Sequence, residues 1–388
     1  MKVKELLAMI PEEELAFLAA ESKVDFQVKK LNGVVMFQLI LFSLLETQKA
    51  SLRVMEELFS SMKFRMISGL DEQTTTKFNS IRDRIATINP DFFERIFNTL
   101  FDKFNHLLGE EKSILRYDST MVAISSKMVE WGINAGINPK KNTQQVQLKY
   151  TVATKGSLPC HVHVFDEAKN ADENTTIPQT ILENDISLTG VVVFDRGVSG
   201  RKAFNLLHEK NRKFVTRIKT DSRYETVTEN KLNEATTSVT VNITEDLIVH
   251  LREGNHQWTK NTFRLIKATI INTQAPIWFI TNIEDTDAYQ IADLYRQRWD
   301  IEPFFKFLKQ HLNVTHLVAR NKNGIRVMIY MTLILALLII VYKHFNKIAN
   351  YKIAKLRFSL ELERAVTKQI VLLTGGNPDK LPEYFSDV

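Results

Sequence analysis

The sequence predicts an α/β protein: a mixed-sheet domain that carries an inserted β-rich subdomain and follows an α-helical N-terminal domain. Three observations predict this. Residues 1–108 have apolar positions at helical spacing, apolar strands alternate with helices from Ser113, and residues 219–280 alternate β-branched and polar side chains before helices return at Asp287. Strands followed by alternating β and α segments are typical of a mixed sheet covered by helices.

The same patterns predict the domain boundaries. Several short N-terminal helices have Ser or Thr starts, as Ser51 shows, and these fit a helix-turn-helix module or a plain helical bundle equally well. The tail contains Pro378 and Pro382, and we expect it to be loose. The predicted segments are a helical DNA-binding domain (1–110), the first part of the α/β domain (111–218), the β-rich insertion (219–283), the second part with C-terminal helices (284–375) and the tail (376–388).

Charge and composition favour a polyanionic partner in a reducing compartment. The net charge is +6, the sequence pI is about 9.1, and the cation excess is concentrated between Tyr295 and Lys368. The single cysteine, Cys160, excludes an intramolecular disulfide and suits the cytoplasm. There is no Gly-x4-Gly-Lys-Ser/Thr motif, so ATP dependence is not expected.

One apolar run leaves a membrane alternative open. Val327–Val341 is interrupted only by Tyr330 and Thr332. A bilayer span needs about 20 apolar residues, and this run is shorter. We expect a buried core helix and no membrane partner, with a membrane-associated protein as the alternative.

Two aspartates are predicted to end buried strands. Ile114–Asp118 and Gly190–Asp195 each predict an apolar strand that finishes at an acid. Strand ends open onto the crevice of an α/β sheet, and carboxylates from neighbouring strands can share divalent cations. Taken alone, an aspartate at the end of a strand is more often a turn residue than a catalytic one.

A third acid lies in a charged stripe. Tyr295, Arg298, Glu302 and Lys309 fall within about 60° of one another on a continuous helix. This face suits a phosphate backbone beside a metal, although a solvated face with an Arg298–Glu302 ion pair is the plainer interpretation. Pro303 requires either a kink or a new helix that starts with Pro303 at its first position.

These residues carry a family resemblance. Tyr295-x2-Arg298-x3-Glu302-x6-Lys309 resembles the YREK signature of bacterial insertion-sequence DDE transposases, the cut-and-paste group that excises DNA through hairpin ends. Tyr117–Thr120 resembles the first-aspartate motif of that family, and Phe194–Gly197 resembles the second. The resemblance spans about Ile114 to Val341. It departs at Val198, where the family often has an aromatic residue.

The resemblance implies an RNase H-like catalytic domain in which Asp118, Asp195 and Glu302 hold two Mg²⁺ ions, with Mn²⁺ able to substitute. It also implies a flipped base in the hairpin step, which needs an aromatic platform. Trp278 matches the family position best, with Trp258 and Trp299 as rivals. The residues that the resemblance implies in DNA contact are Tyr295, Arg298, Lys309, Lys306 and Trp278.

The function implied by the resemblance is cut-and-paste transposition. The protein would bind the terminal inverted repeats of its element and target DNA as double strands, act as a homodimer, cleave DNA, form hairpins and transfer strands. The alternative is a catalytically silent DNA-binding protein derived from a transposase.

Overall fold

The computed structural model describes residues 1–47, 50–71, 73–109, 114–124, 133–138, 143–165, 172–232, 240–254, 257–312, 318–319 and 321–381. The chain divides into two compact units. The first comprises Met1–Gly109, Ala123–Met128 and Phe305–Val388, and the second comprises Glu110–Val122 and Val129–Phe304.

Helices and strands occupy most of the described residues. The helices are α1 (Val3–Leu7), α2 (Glu12–Glu21), α3 (Gly33–Glu46), α4 (Leu52–Ser60), α5 (Met62–Ser68), α6 (Phe78–Thr87), α7 (Asp91–Leu108), α8 (Glu173–Glu183), α9 (Arg201–Glu209), α10 (Ala288–Arg296), α11 (Ile301–His311), α12 (Lys322–Phe345) and α13 (Tyr351–Leu373). The strands are β1 (Ile114–Ile124), β2 (Ile133–Asn138), β3 (Thr143–Lys155), β4 (Leu158–Phe165), β5 (Val191–Phe194), β6 (Lys213–Ile218), β7 (Tyr224–Glu229), β8 (Val241–Glu253), β9 (Gln257–Trp258), β10 (Phe263–Ile270) and β11 (Pro276–Thr281).

Within the described part of the second unit, the strands form one 11-stranded mixed sheet in the order β2-β3-β1-β5-β6-β11-β10-β8-β7, with β4 beside β3 and β9 beside β8. β5 pairs in parallel with both β1 and β6, whereas β11 pairs antiparallel with β6. Parallel strands are covered on both faces, and the continuous apolar run Val191–Phe194 fits that central position. The predicted mixed-sheet α/β class is confirmed.

The segment 219–283 is rich in strands, as the sequence predicted. Its strands β7 to β11 join the same sheet through the β6–β11 pairing and do not form a sheet of their own in the described residues. Arg264 on β10 and Asp246 on β8 form a buried ion pair, with 2.6 Å between Nη2 and Oδ2. The Arg264 guanidinium also donates to the carbonyl oxygen of Glu284 at 3.1 Å, which ties these strands to the loop before α10.

The helix α10 packs on this sheet through a core of apolar side chains. Asp287 caps its N-terminus by accepting a hydrogen bond from the amide of Tyr289 at 2.8 Å. Ile291 and Tyr295 on the inner face of α10 belong to the same buried cluster as Val193 of β5. This packing fixes the helix that carries Tyr295 against the strand that precedes Asp195.

The first unit consists of helices in its described residues, with α12 in its core. Among the described residues, α12 is the one helix that is long and apolar enough to cross a membrane by length and composition. Its most apolar window has a mean hydropathy of 2.5 and is 94% buried. The ring of Tyr330 contacts Phe97 of α7 at 5.9 Å, and Arg326 pairs with Glu94 at 3.0 Å. The expected core packing of Val327–Val341 is therefore observed.

Candidate active site

Two parallel strands bring Asp118 and Asp195 to the same edge of the sheet. The paired segments end at Tyr117 and Phe194, which are partners in the register, and each aspartate is the next residue. This is the position where α/β sheets place functional groups. The prediction that a strand ends at Asp118 is wrong, because β1 continues to Ile124 beside β3. What ends at Asp118 is the pairing of β1 with β5.

Asp195 lies among groups that stabilise its charge. The hydroxyl of Tyr295 donates to its Oδ1 at 3.2 Å, and the nearest guanidinium nitrogens of Arg217 and Arg298 lie 3.6 Å and 4.0 Å from the same oxygen. Burial alone would raise the pKa of Asp195. The amide of Arg196 and the charges of Arg298 and Arg217 outweigh burial and lower this pKa, so Asp195 is the more strongly ionised aspartate.

Asp118 lies in the opposite electrostatic environment. Burial raises its pKa from 3.8 to about 6, and the charges of Asp195 and Glu173 add to the increase. The amide of Ser119, which donates to Oδ1 at 2.8 Å, and the charge of Arg298 act against it. The two aspartates therefore differ in the stability of their charged forms, and each negative charge disfavours the other.

Arg298 connects the three predicted acids. Its guanidinium bonds Oε1 of Glu302 at 3.0 Å, lies 4.0 Å from Asp195, and interacts electrostatically with Asp118. Only 4% of Arg298 is exposed. Burial alone would lower its pKa, but the surrounding negative charges raise it, so the guanidinium is firmly charged. Its Nε has no hydrogen-bond partner among the described residues. The site therefore offers a buried donor beside Asp195.

The predicted stripe is broken between Tyr295 and Glu302. Tyr295 belongs to α10, Arg298 to a 3-10 turn at Gln297–Asp300, and Glu302 to α11. The four residues therefore do not lie on one continuous helix, and the angles expected for such a helix do not describe their arrangement. Pro303 is the third residue of α11, where its missing N–H breaks no helical hydrogen bond. The turn lets Arg298 contact both Asp195 and Glu302.

A buried arginine holds this turn against β1. The guanidinium of Arg116 donates to the carbonyl oxygens of Gln297 at 2.6 Å and Gly156 at 2.8 Å, and it pairs with Asp300 at 3.2 Å. Arg116 is two residues before Asp118. It therefore fixes the position of Arg298 and Glu302 relative to the strand that carries the first aspartate.

Sequence reasoning also missed Arg217 and Glu173. Arg217 contacts Asp195, and its guanidinium lies 5.2 Å from the ring centre of Tyr295. The carboxylate of Glu173 pairs with Lys149 at 3.4 Å and lies so close to Gly197 that a β-carbon there would overlap it. Isolated charged residues such as these carry no local sequence signal.

The other residues predicted to contact DNA are Lys306, Lys309 and Trp278. Lys306 and Lys309 lie on α11 beyond Glu302, in the part of the chain that belongs to the first unit. Trp278 is half-buried on β11, 5.9 Å from the ring of Tyr224 and 4.9 Å from the ammonium of Lys267.

The rival tryptophans are more exposed than Trp278. Trp258 is 38% exposed and lies 5.5 Å from the guanidinium of Arg252. Trp299 is 53% exposed, and its ring lies 4.5 Å from the guanidinium of Arg298. Of the three tryptophans that the structure describes, Trp299 is therefore the one that contacts Arg298, the residue that bonds Glu302.

The acids fit a divalent metal in their chemistry. Mg²⁺ prefers carboxylate oxygens, and the mutual repulsion of Asp118 and Asp195 is the kind of strain that a shared cation relieves. In the described residues, however, no three acidic, histidine or cysteine side chains converge closely enough to hold a metal. Glu302 is engaged by Arg298. The arrangement is therefore a pair of aspartates with a third acid held nearby by an arginine.

A site built from two strand-borne aspartates and a helical glutamate defines a class of nucleic-acid-processing enzymes. The chain belongs to the DDE transposase family: residues 109–339 match the family described as "Transposase DDE domain". Both aspartates and Glu302 lie inside the matched region. Members of this family typically carry out nuclease and strand-transfer chemistry with a divalent metal.

Two curated relatives are transposases of insertion sequences. The chain is 32% identical over 231 residues to the putative transposase of element IS4SA from Synechocystis sp., which covers 59% of this chain and 60% of that protein. It is 23% identical over 256 residues to the probable transposase of element IS5377 from Geobacillus stearothermophilus, covering 64% and 62%. The matches thus span less than two thirds of either relative.

Among solved structures, the chain is similar to the piggyBac transposase in a cryo-EM synaptic complex with hairpin DNA. The TM-score is 0.45 at 11% identity, covering 99% of this chain and 84% of that one.

Proposed function

We propose that this protein is the transposase of an insertion sequence. It binds the terminal inverted repeats of its element as double-stranded DNA, cleaves them, forms hairpin ends and joins the 3′-ends to target DNA. The observation that carries the proposal is the cluster around Arg298, which connects Asp118, Asp195 and Glu302 within one unit. The family match over both aspartates and Glu302 supports it.

In this proposal Asp118, Asp195 and Glu302 hold Mg²⁺. When bound, a pair of such ions activates a water or a 3′-hydroxyl and stabilises the leaving oxygen. The acids position the metal and are not themselves nucleophiles. Asp195 has a lowered pKa and is strongly ionised without a metal. Asp118 has a raised pKa, so its ionisation depends more on a nearby cation.

Arg298 has two alternative anionic partners in this proposal. Without DNA its guanidinium bonds Glu302. A phosphate beside Asp195 offers charge-assisted hydrogen bonds of the same kind, including one to the unpartnered Nε. Transfer of Arg298 to the phosphate would free Glu302 to join the aspartates. Tyr295, Lys306 and Lys309 are the further DNA contacts.

Each reaction step is a displacement at phosphorus, so one site serves all of them. Water cleaves the first strand, the released 3′-hydroxyl attacks the opposite strand to form the hairpin, water reopens it, and the 3′-end attacks target DNA. Every step exchanges one P–O bond for another and needs no ATP. The hairpin step requires an unstacked base, for which Trp278 is the platform that the family position favours and Trp299 the one that the geometry favours. A homodimer would hold both ends.

The test is Mg²⁺-dependent nicking of a plasmid that carries the ends of the element. Asp118→Asn and Asp195→Asn should each lower the rate by at least about a hundredfold, because they remove several kcal/mol of transition-state stabilisation. Asp185→Asn, an exposed acid of the same unit, is the matched control and should retain wild-type activity. Equal nicking by wild type and Asp118→Asn would refute the assignment. Duplex binding without nicking by the wild type would favour the catalytically silent alternative.

A further inference from the structure

A basic cavity lies in the second unit, and its lining includes Arg196, the residue that follows Asp195. It has a volume of about 430 Å³ and lies between the loop after β5, the start of α9, the turn after β6 and the end of β8. Its charged lining consists of four cations and two acids: Arg196, Arg201, Lys219, Arg252, Asp221 and Glu253. The cavity therefore has a surplus of positive charge.

Arg201 is half-buried, and its hydrogen bonds are to neutral oxygens. Its Nη1 donates to the carbonyl oxygen of Ser199 at 2.8 Å, and its Nη2 donates to the hydroxyl of Ser222 at 3.2 Å. Burial lowers the pKa of Arg201, and no acid opposes this effect. Within the described residues Arg201 has no ion-pair partner, so an incoming anion would find a partly desolvated guanidinium with no competing carboxylate.

Two further cations of the cavity are exposed and uncommitted. Arg196 and Lys219 have no ion-pair partner in the described parts of the chain. Glu253, one of the two acids of the cavity, accepts a hydrogen bond from the side-chain amide of Asn205 at 3.3 Å. The charges of Arg196 and Lys219 are thus available to a ligand.

The backbone at the start of α9 does not supply the site. The amides of Ser199 and Gly200 donate to Oδ1 of Asn174 at 2.8 Å and 2.5 Å. These donors are therefore already satisfied. Recognition in the cavity depends on the cationic side chains, which suits a phosphate that is contacted from several directions.

Two cations of the cavity are close in sequence to the residues around Asp195. Arg196 follows Asp195 directly, and Lys219 is two residues from Arg217, whose guanidinium lies 3.6 Å from Asp195. We propose that this cavity binds a backbone phosphate of the DNA strand whose scissile phosphate lies at Asp195. This inference rests on the proposed function. It adds a second phosphate site that fixes the register of the strand without reading its sequence.

The test measures duplex binding by the full chain in EDTA, so that cleavage does not contribute. A fluorescently labelled duplex is titrated at several salt concentrations with wild type, Lys219→Gln, Arg196→Gln and the double variant. Loss of one phosphate contact should weaken binding by about five- to tenfold and lower the slope of log K against log salt by about one. The double variant should lower the slope by about two. Random and element-end duplexes should lose affinity equally.

Lys210→Gln is the matched control, because Lys210 is an exposed lysine at the other end of α9, outside the cavity. If Lys219→Gln and Arg196→Gln bind duplex as Lys210→Gln does while the wild type still nicks DNA, this inference is refuted and the proposed function stands. Inorganic phosphate is the second probe. Tight phosphate binding that the variants abolish, with duplex affinity unchanged, would assign the cavity to free phosphate and equally overturn the proposal.

Discussion

Replacement of Asp118 by asparagine should stabilise the metal-free protein while it abolishes DNA cleavage. Asp118 is held where burial and the charge of Asp195 disfavour its ionised form. Asparagine keeps the shape of the side chain and an oxygen that can accept the amide hydrogen of Ser119. It removes the charge that the fold destabilises, so stability and activity should move in opposite directions.

The magnitude follows from the shift in pKa. The pKa of Asp118 rises from 3.8 to about 6 in the fold. At about 1.36 kcal/mol per pKa unit, the ionised form is disfavoured by about 3 kcal/mol. This figure is already net of the attraction to Arg298, which lowers the pKa. We expect a net increase of about 1–3 kcal/mol, or about 2–4 °C in Tm per kcal/mol for a unit of this size.

The pH dependence of the stability difference distinguishes this electrostatic effect from other causes of stabilisation. Because the pKa is raised in the fold, the protonated carboxyl contributes stability that is complete below the unfolded pKa and is lost as pH rises through about 6. Wild type and Asp118→Asn should therefore unfold at similar temperatures near about pH 4, and the variant should be the more stable above about pH 7. Thermal unfolding in EDTA across this range measures the difference.

Asp195→Asn is the control of opposite sign. Hydrogen bonding and nearby cations lower the pKa of Asp195, so its charge contributes stability and its neutral replacement should not raise Tm at neutral pH. If Asp118→Asn is no more stable than the wild type at about pH 8, or if its advantage is the same at low pH, the electrostatic reasoning for Asp118 is wrong.

Three further substitutions test other parts of the structure. Arg264→Leu leaves the charge of Asp246 buried and should lower the free energy of unfolding by about 3–5 kcal/mol, measured by denaturant titration; a loss below about 1 kcal/mol would contradict a buried pair. Glu302→Gln should retain duplex binding and lose cleavage, and loss of binding as well would make Glu302 a structural residue. Trp299→Ala should slow hairpin formation by about tenfold or more and leave first-strand nicking unchanged, since stacking one base contributes about 1–3 kcal/mol; equal effects on both steps would exclude Trp299 as the platform.

The central strands were predictable because their apolar composition indicates that they are buried. Val191–Phe194 is apolar throughout, and such a run in a short segment is typical of a parallel strand covered on both faces. The extent of β1 was not predictable in the same way. The pairing of β1 with β5 ends before Asp118, and β3 is the other neighbour of β1 in the sheet. Side-chain periodicity indicates which residues are buried, but it does not indicate which strand supplies the hydrogen bonds.

The sequence motifs single out the three acids as a prediction, whereas the residues that contact them have no such signal. Motif spacing indicates Asp118, Asp195 and Glu302, but Arg116 acts through Gln297 and Asp300, which are remote in sequence. The 3-10 turn also escaped prediction, since spacing alone assumes one continuous helix from Tyr295 to Lys309. Contacts between distant segments decide both features, and a single sequence does not contain them.

The electrostatics of the cluster link DNA binding to the arrangement of the acids. The negative charges of Asp118 and Asp195 repel each other, and the guanidinium groups of Arg298 and Arg217 reduce that repulsion. Arg298 also bonds Glu302. A phosphate that attracts Arg298 away from Glu302 removes part of this compensation and raises the demand for another cation. In the proposed function, DNA and a divalent metal would therefore favour each other's binding, and by linkage the effect is reciprocal. The arginine that stabilises the acids without substrate is thus the group that would make metal affinity depend on DNA.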